Sequence, residues 1–525
     1  MILYYALTTY HIQCCVLHKI TVNRDKKAIL LLSDIHKNSV AFLQRYKDSG
    51  IFDDVVILEE SAINAAARKS GENHVPVSHV ISKACGSLKK ILPFKQRDID
   101  EYYLCPDHFP FGWYIIKNKI KYHCFEEGCG VLSDNEFMMS NLKRNMTQYK
   151  IVKKLGCLGE NDYVSEILAD KKAQKKGYEN DKMTDFSVKG ILMSLDESDL
   201  KKVFSFFGVK EKIKSNEKLS LILTQHMANL GIMPLDKQHL IYQLFADYFL
   251  NATHIIVKPH PDDIAGRYKD IFTDADVLPF AMPSELLPFI IDKKLSTAIA
   301  ANSTAVKSLG DFCDRMICFD NRIMSDFEHI HRYFTVIKLI ENLNICKTVD
   351  VCADELLFSE LAQSEKADFT VNVTNKNNLN GKLCVVSDLA FDDEEIINKS
   401  ITGRLLQTEG TIIFLNENNR CLFFDGENTD VFRKIRPVII KFTDKNGIAV
   451  DEEVIYVYSN DENIIKNAEQ FNCEKELKYT GVKVNINSIS KNEAEKIKVL
   501  EGVLQATEQR LKEYIKAKRL ADANN

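Results

Sequence analysis

Residues 258–263 read Lys-Pro-His-Pro-Asp-Asp and follow the β-branched run His254-Ile255-Ile256-Val257. A short apolar run stopped by prolines predicts a buried strand that presents one imidazole, His260, at its C-terminal end. Pro259 and Pro261 stiffen the turn, so the ring is aimed rather than free. Open α/β sheets bind ligands at that end of their strands. There an imidazole can give a proton or a charged hydrogen bond to a leaving phosphate. A stiff surface turn that happens to carry a histidine has the same local sequence.

Three further strand ends carry usable groups. Phe125-Glu126-Glu127-Gly128 places two carboxylates before a glycine turn. Consecutive strand residues face opposite sides, so one of the pair can face a cleft while the other braces it. Like charge and partial burial would raise the cleft-facing carboxyl toward a useful base; a solvated acidic turn reads the same way. Ala300-Ala301-Asn302-Ser303-Thr304 opens a predicted helix, where hydroxyls and backbone N–H groups cap the helix or hold a phosphate. Pro283-Ser284-Glu285 opens another, and Glu285 could accept from ribose hydroxyls or complement the helix dipole. Thr224-Gln225 ends the strand before Lys258 in the same manner.

The elements that must position these groups alternate. Strands are expected at 2–7, 28–32, 55–58, 102–104 and 121–125, with helices at 10–20, 38–46 and 79–91 between them. Residues 131–215 read as mainly helical and charged. A second alternating unit has strands at 221–224, 254–258, 277–280, 295–298 and 315–319, and helices at 237–250, 284–291 and 304–309. Such alternation implies parallel, doubly wound sheets. Two Rossmann-like halves facing a cleft make a GT-B-type α/β architecture. After Ser364 short strands dominate, at 369–373, 382–386, 410–415, 420–424, 436–442 and 453–457. Asn446-Gly447 between two of them signals a type I′ hairpin. The expected domains are 1–215, 216–364, an appended β-rich module at 365–490, and a terminal helix at 491–525.

The 525 residues are too many for one core, and 45% hydrophobic with 27% charged is ordinary globular composition. A net charge of −5 offers no field for nucleic acid. None of the 14 cysteines stands in Cys-x-x-Cys, so reduced core thiols in a cytoplasmic protein are expected, not zinc sites or disulfides. Met1 to His18 carries no Asp, Glu, Lys or Arg, yet Thr8, Thr9, His11 and Gln13 interrupt it. It reads as a buried strand and helix, not as a signal or membrane span.

An acidic pair, His-Pro and Ser-Thr, in that order and each ending a strand, resemble the bacterial sialyltransferase and polysialyltransferase superfamily. Its motifs Asp/Glu-Asp/Glu-Gly, His-Pro and Ser-Ser/Thr are matched by Glu126-Glu127-Gly128, His260-Pro261 and Ser303-Thr304. Leu7-Thr8-Thr9-Tyr10 also looks like the family's first strand-to-helix turn, with Thr9 where proline is usual. The resemblance covers roughly residues 1–340. It implies an inverting transferase moving an acidic sugar from a CMP-activated donor to a surface-glycan acceptor, as in capsule or lipooligosaccharide, without cofactor or metal. It assigns the base to Glu126 or Glu127, Glu126 by family pattern. His260 with Pro261, Thr224, Gln225, Lys258, Glu285, Ser303 and Thr304 would hold the nucleotide. A cytoplasmic protein, peripheral on the inner membrane face or homo-oligomeric, is consistent with that role. Lys-Pro-His-Pro also looks like a feature of transferases using CMP-Kdo or CDP-glycerol. A non-catalytic glycan-binding scaffold and a nucleotide-sugar epimerase share the two-domain cleft.

Overall fold

The computed structural model describes residues 1–35, 41–70, 75–127, 135–178, 180–209, 213–250, 253–263, 267–279, 282–303, 305–319, 327, 330–391, 410–415, 417 and 435–488. The first sheet holds β1 (Ile2–Ala6), β2 (Ala28–Ser33), β3 (Asp54–Leu58), β4 (Glu101–Cys105), β5 (Tyr122–Phe125), β6 (Val164–Ala169) and β7 (Met183–Asp185). All pair in parallel, in the order β3-β2-β1-β4-β5-β6-β7. The absence of charge at the N-terminus now has a structural cause. β1 is buried along its whole length, with β2 on one side and β4 on the other. Parallel strands covered on both faces read as continuous apolar runs.

The second sheet holds β8 (Leu219–Leu223), β9 (His254–Lys258), β10 (Asp276–Val277), β11 (Leu295–Ala300) and β12 (Cys313–Cys318). It is also parallel, ordered β10-β9-β8-β11-β12. Both sheets thus run outward from their first strand and then reverse. The reversal falls between β1 and β4 in one, and between β8 and β11 in the other. Such switch points open a crevice at the C-terminal ends of the strands. The two sheets form a GT-B-type α/β pair, as the alternation predicted. The helices Val188–Ser194 and Glu197–Phe207 lie between them in sequence. Phe206 and Val203 share one buried cluster with Tyr4 and Ile12 of the first half and with Leu221 and Leu287 of the second.

The third sheet holds β13 (Thr348–Cys352), β14 (Thr370–Val373), β15 (Leu383–Ser387), β16 (Thr411–Leu415), β17 (Ile435–Thr443), β18 (Ala449–Tyr458), β19 (Asn472–Glu476) and β20 (Lys483–Ser488). Its order is β14-β13-β15-β16-β18-β17-β20-β19. β13 to β16 pair in parallel, and the remaining pairs are antiparallel. The helices Leu235–Phe249 and Ile330–Leu343 link the second and third sheets. Phe245, Tyr333 and Ile337 on those helices share a buried cluster with Ile222 and Val257 of the second sheet and Val438, Ile440 and Val484 of the third. Each large side chain buried there contributes roughly 1.5–3 kcal/mol. Asp247 fastens the two parts further. Its carboxylate accepts the backbone N–H groups of Tyr479 at 2.9 Å and Thr480 at 3.0 Å.

Several expectations need correction. Residues 131–215 are not only helical, because β6 and β7 extend the first sheet. The expected helix at 38–46 is Leu43–Asp48, and the expected strand at 277–280 is only Asp276–Val277. The third sheet begins at Thr348, ahead of residue 365. It is a mixed sheet, with helices Glu355–Ser364 and Glu462–Glu469 beside it. The hairpin at Asn446-Gly447 joins β17 to β18, but only Gly447 has positive φ, at 79°. A type I′ turn needs two such residues. Instead, Asp444 Oδ1 accepts the N–H groups of Asn446 and Ile448, and glycine takes the left-handed position. The expected strand at 420–424, the terminal helix at 491–525, Gly128 and Thr304 lie outside the described residues.

Candidate functional site

A cavity of about 340 Å³ lies at the second sheet's switch point. Thr224 and Gln225 follow β8, Lys258 to Pro261 end β9, and Asn302 and Ser303 follow β11. Met282 to Glu285 form one further wall. Thr9 and Tyr10, from the turn after β1 of the first sheet, close the remaining side. The cavity therefore brings together Thr224, Gln225, Lys258, His260, Pro261, Glu285 and Ser303, and it is shared by both halves.

The His260 turn is held from below by a buried polar chain. The His260 N–H donates to Thr224 Oγ1 at 3.0 Å, and Thr224 Oγ1 donates to Asp263 at 3.2 Å. Gln238 donates to both Asp263 oxygens at 3.3 Å, and the Tyr268 hydroxyl donates to the same carboxylate. His260 Nδ1 accepts the N–H of Asp262 at 3.1 Å. In the neutral ring this places the proton on Nε2, which becomes a donor. His226, three residues past β8, tilts 31° against His260 with ring centres 4.2 Å apart. The β9 turn had drawn notice through its prolines. His226 carries no such signal beyond its place at the neighbouring strand end.

His226, His260 and Asp262 also bring one potential metal-ligand atom each within 4.8 Å of one another. A metal ligand must offer a lone pair. The Asp262 N–H already occupies that of Nδ1 and fixes the proton on Nε2.

Burial pulls Lys258 down to about 7, against the opposing pull of Glu285. Its ammonium donates to Pro259 O at 2.6 Å. Burial raises the Glu285 carboxyl, with its own backbone N–H and Lys258 opposing. A cationic group that titrates near neutrality, an Nε2–H and the Ser303 hydroxyl thus share one small space. The helix after Ser303, Ala305–Ser308, is a single turn, so the helix dipole expected there is slight. The other wall is firmer. Thr8 caps the helix Thr9–Thr21 through a reciprocal box, accepting from His11 N while His11 Nδ1 accepts from Thr8 N.

Glu126 and Glu127 do not line this cavity. They follow β5, two strands from β1 on the same C-terminal edge of the first sheet. Glu126 continues the pairing with β6 through its N–H to Leu168 O at 2.9 Å, and its side chain is buried. Glu127 keeps 14% side-chain exposure, and its Oε1 lies 3.4 Å from His108 Nδ1. Burial, aided by the charge of Asp107, pushes the Glu127 carboxyl up to about 8. Burial pushes the His108 imidazole down to about 4, with Asp107 opposing. Sequence reading did not single out His108, although it follows β4 at the first sheet's switch point.

No protein-family model matches the chain, and no curated protein does. Among solved structures, it is similar to the UDP-GlcNAc 2-epimerase from Neisseria meningitidis bound to UDP-GlcNAc, at 13% identity and a TM-score of 0.35, over 58% of this chain and 78% of that one. The Methanocaldococcus jannaschii UDP-GlcNAc 2-epimerase, in complex with UDP-GlcNAc and UDP, gives 11% identity and 0.37, over 62% and 91%. A glycosyltransferase from Rickettsia africae gives 12% and 0.29, over 70% and 94%. Among the described residues, no helix is long and apolar enough to cross a membrane.

Proposed function

We propose that the protein is a GT-B-type glycosyltransferase that moves an acidic sugar from a CMP-activated donor to a surface-glycan acceptor, with inversion and without a metal ion. One observation carries this reading: the 340 Å³ cavity gathers Lys258, His260 and Ser303 at a switch point, with Tyr10 of the other half across from them. Its donors are chemically suited to a nucleotide phosphate. The Nε2–H of His260 and the Lys258 ammonium face the charge that grows on the leaving phosphate. Glu285 accepts from ribose hydroxyls, and the Glu126–Glu127 edge supplies the base for the acceptor hydroxyl.

Thermal-shift titration with CMP, UDP, GDP and ADP tests the donor class, because a ligand that binds only the folded state raises the melting temperature. Stabilisation by CMP is expected. Stabilisation by UDP alone would replace this reading with a UDP-sugar enzyme. Transfer assays with CMP-sialic acid, CMP-Kdo and CDP-glycerol then separate the donors.

A further inference from the structure

Two cross-braces lock the turn of His260 to the loop of His226. The Asn229 side-chain amide donates to Asp262 O at 2.6 Å, two residues past His260. Gln238, fully buried, accepts the Ala228 N–H at 2.8 Å on its Oε1 and donates through its amide to Asp263 at 3.3 Å. One side chain thus grips both segments. Within the His226 loop, Leu230 N donates to His226 O at 3.1 Å and Ile232 N to Met227 O at 3.0 Å, and Gly231 takes a positive φ of 70° to close the turn. Ahead of it, Gln225 N donates to the Tyr242 hydroxyl. The 4.2 Å approach of the two rings is therefore built by the backbone at both strand ends.

The backbone does not fix the last torsion of His260. Its N–H on Thr224 and the flanking prolines set where the residue sits, but rotation about the Cβ–Cγ bond of a histidine is broad, without sharp staggered minima. The Asp262 N–H holds one edge of the ring through Nδ1 at 3.1 Å. The ring of His226 covers one face, tilted by 31°. An edge held and a face covered give Nε2 one direction. No bond at His226 Nδ1 competes with this contact, because that atom is enclosed and has no hydrogen-bond partner among the described residues. Packing holds the His226 ring in place.

We propose that His226 is a positioning residue, whose ring face sets the plane of the His260 imidazole so that its Nε2–H meets the leaving phosphate. The proposal rests on His260 as the phosphate donor of the transferase reading, and it adds the residue that orients that donor. His226 does not line the 340 Å³ cavity, so it acts through His260 and not on the nucleotide. Misplacing a catalytic group by about an ångström can cost roughly 10²-fold in rate. A stacked ring also suits the charge that gathers at the donor as the phosphate leaves, because a π face attracts a cation.

Carbon–proton NMR of the histidine-labelled full chain, with signals assigned by His260→Gln, reads the stack without turnover. The ring current of His226 displaces the His260 ring protons from the positions of an exposed histidine. In His226→Ala they should move back toward those positions, and in His226→Phe, which keeps a ring face, they should stay displaced. Transfer from CMP-sialic acid should fall roughly ten- to a hundredfold in kcat for His226→Ala while KM for the donor holds, because the lost contact is one made in the transition state. His226→Phe should recover most of that rate. His226→Leu, which fills the space without a ring face, serves if the alanine variant does not fold. His260 signals indifferent to loss of the ring, an undiminished rate in His226→Ala, or a phenylalanine variant as slow as the alanine one would overturn the proposal. Native protein that binds no CMP sinks the transferase reading instead, whereas the His260 signals of the unliganded variants judge the ring contact alone.

Discussion

The Thr224 hydroxyl accepts the backbone N–H of His260 at 3.0 Å and hands its own proton to Asp263 at 3.2 Å. The aim of the imidazole is thus set by the strand beside it. Thr224→Val keeps the shape but breaks both bonds, leaving a partly buried N–H without its acceptor. It should weaken CMP binding about three- to tenfold and cost about 1–3 kcal/mol of stability. His260→Ala should do more, slowing transfer roughly 10²–10⁴-fold as loss of an acid–base group does. Calorimetric CMP binding and initial rates distinguish the two. Equal effects would mean that His260 is structural.

Glu126→Gln and Glu127→Gln should differ. Only the base variant should lose roughly 10²–10⁴-fold in rate while CMP affinity holds. Glu127→Gln also has a stability signature. The folded carboxyl titrates near 8, above its unfolded value, so its favourable contribution is present at low pH and lost as pH rises through 8. The variant should match the native protein at pH 5 and melt a few degrees higher at pH 9, where each kcal/mol is worth roughly 2–4 °C. Identical pH dependence of melting would show that Glu127 is solvated.

Lys258 predicts a pH dependence of the opposite pole. Its charged form attracts phosphate and is lost as pH rises through about 7. CMP affinity should fall roughly tenfold, about 1.4 kcal/mol, between pH 6 and 8.5. Lys258→Met should bind weakly and flatly across that range. A native profile without slope would place the ammonium away from the phosphate.

Turnover should survive EDTA, because Nε2–H, ammonium and hydroxyl donors stand where a divalent ion would otherwise neutralise charge. Rates before and after dialysis against chelator, then with added magnesium or manganese, check this. Strict dependence on either ion would sink the mechanism.

A chain ending at Ser364 should be insoluble. It would keep β13 but lose β15, its partner, and strip Val438, Ile440 and Val484 from the cluster that Phe245 and Ile337 share. Exposed apolar surface of this kind aggregates. Size-exclusion chromatography of the truncated protein decides, and a soluble monomer would show that the first two sheets are self-sufficient.

What could be read from the sequence follows from how loudly each element speaks. β1 and β9 are short apolar runs ended by threonine or proline, and both were placed within a residue. β6 was missed because Ser165 and Glu166 break its apolar run at the partly exposed end. β13 was missed because Asp350 interrupts Thr348–Cys352. Thr224, His260 and Ser303 were findable because each follows a strand end, and the fold gathers strand ends. Their separation from Glu126 and Glu127 was not, since it depends on the order in which strands pair. The same holds for His226 and His108, single histidines whose significance comes only from the neighbour that pairing supplies.

The Asp247 clamp ties the protein's maturation to the clock of its own synthesis. Its carboxylate and the Thr480 N–H are 233 residues apart in the chain. At about 5–20 residues per second a ribosome needs roughly 10–50 s to span that gap. For most of it the helix Leu235–Phe249 has been made while β17 and β20, which share its cluster, have not. The half built on the second sheet therefore waits, partly uncovered, for the last described hairpin to emerge. Slow codons or scarce chaperones in that interval would lower the yield of folded protein while leaving its final stability unchanged.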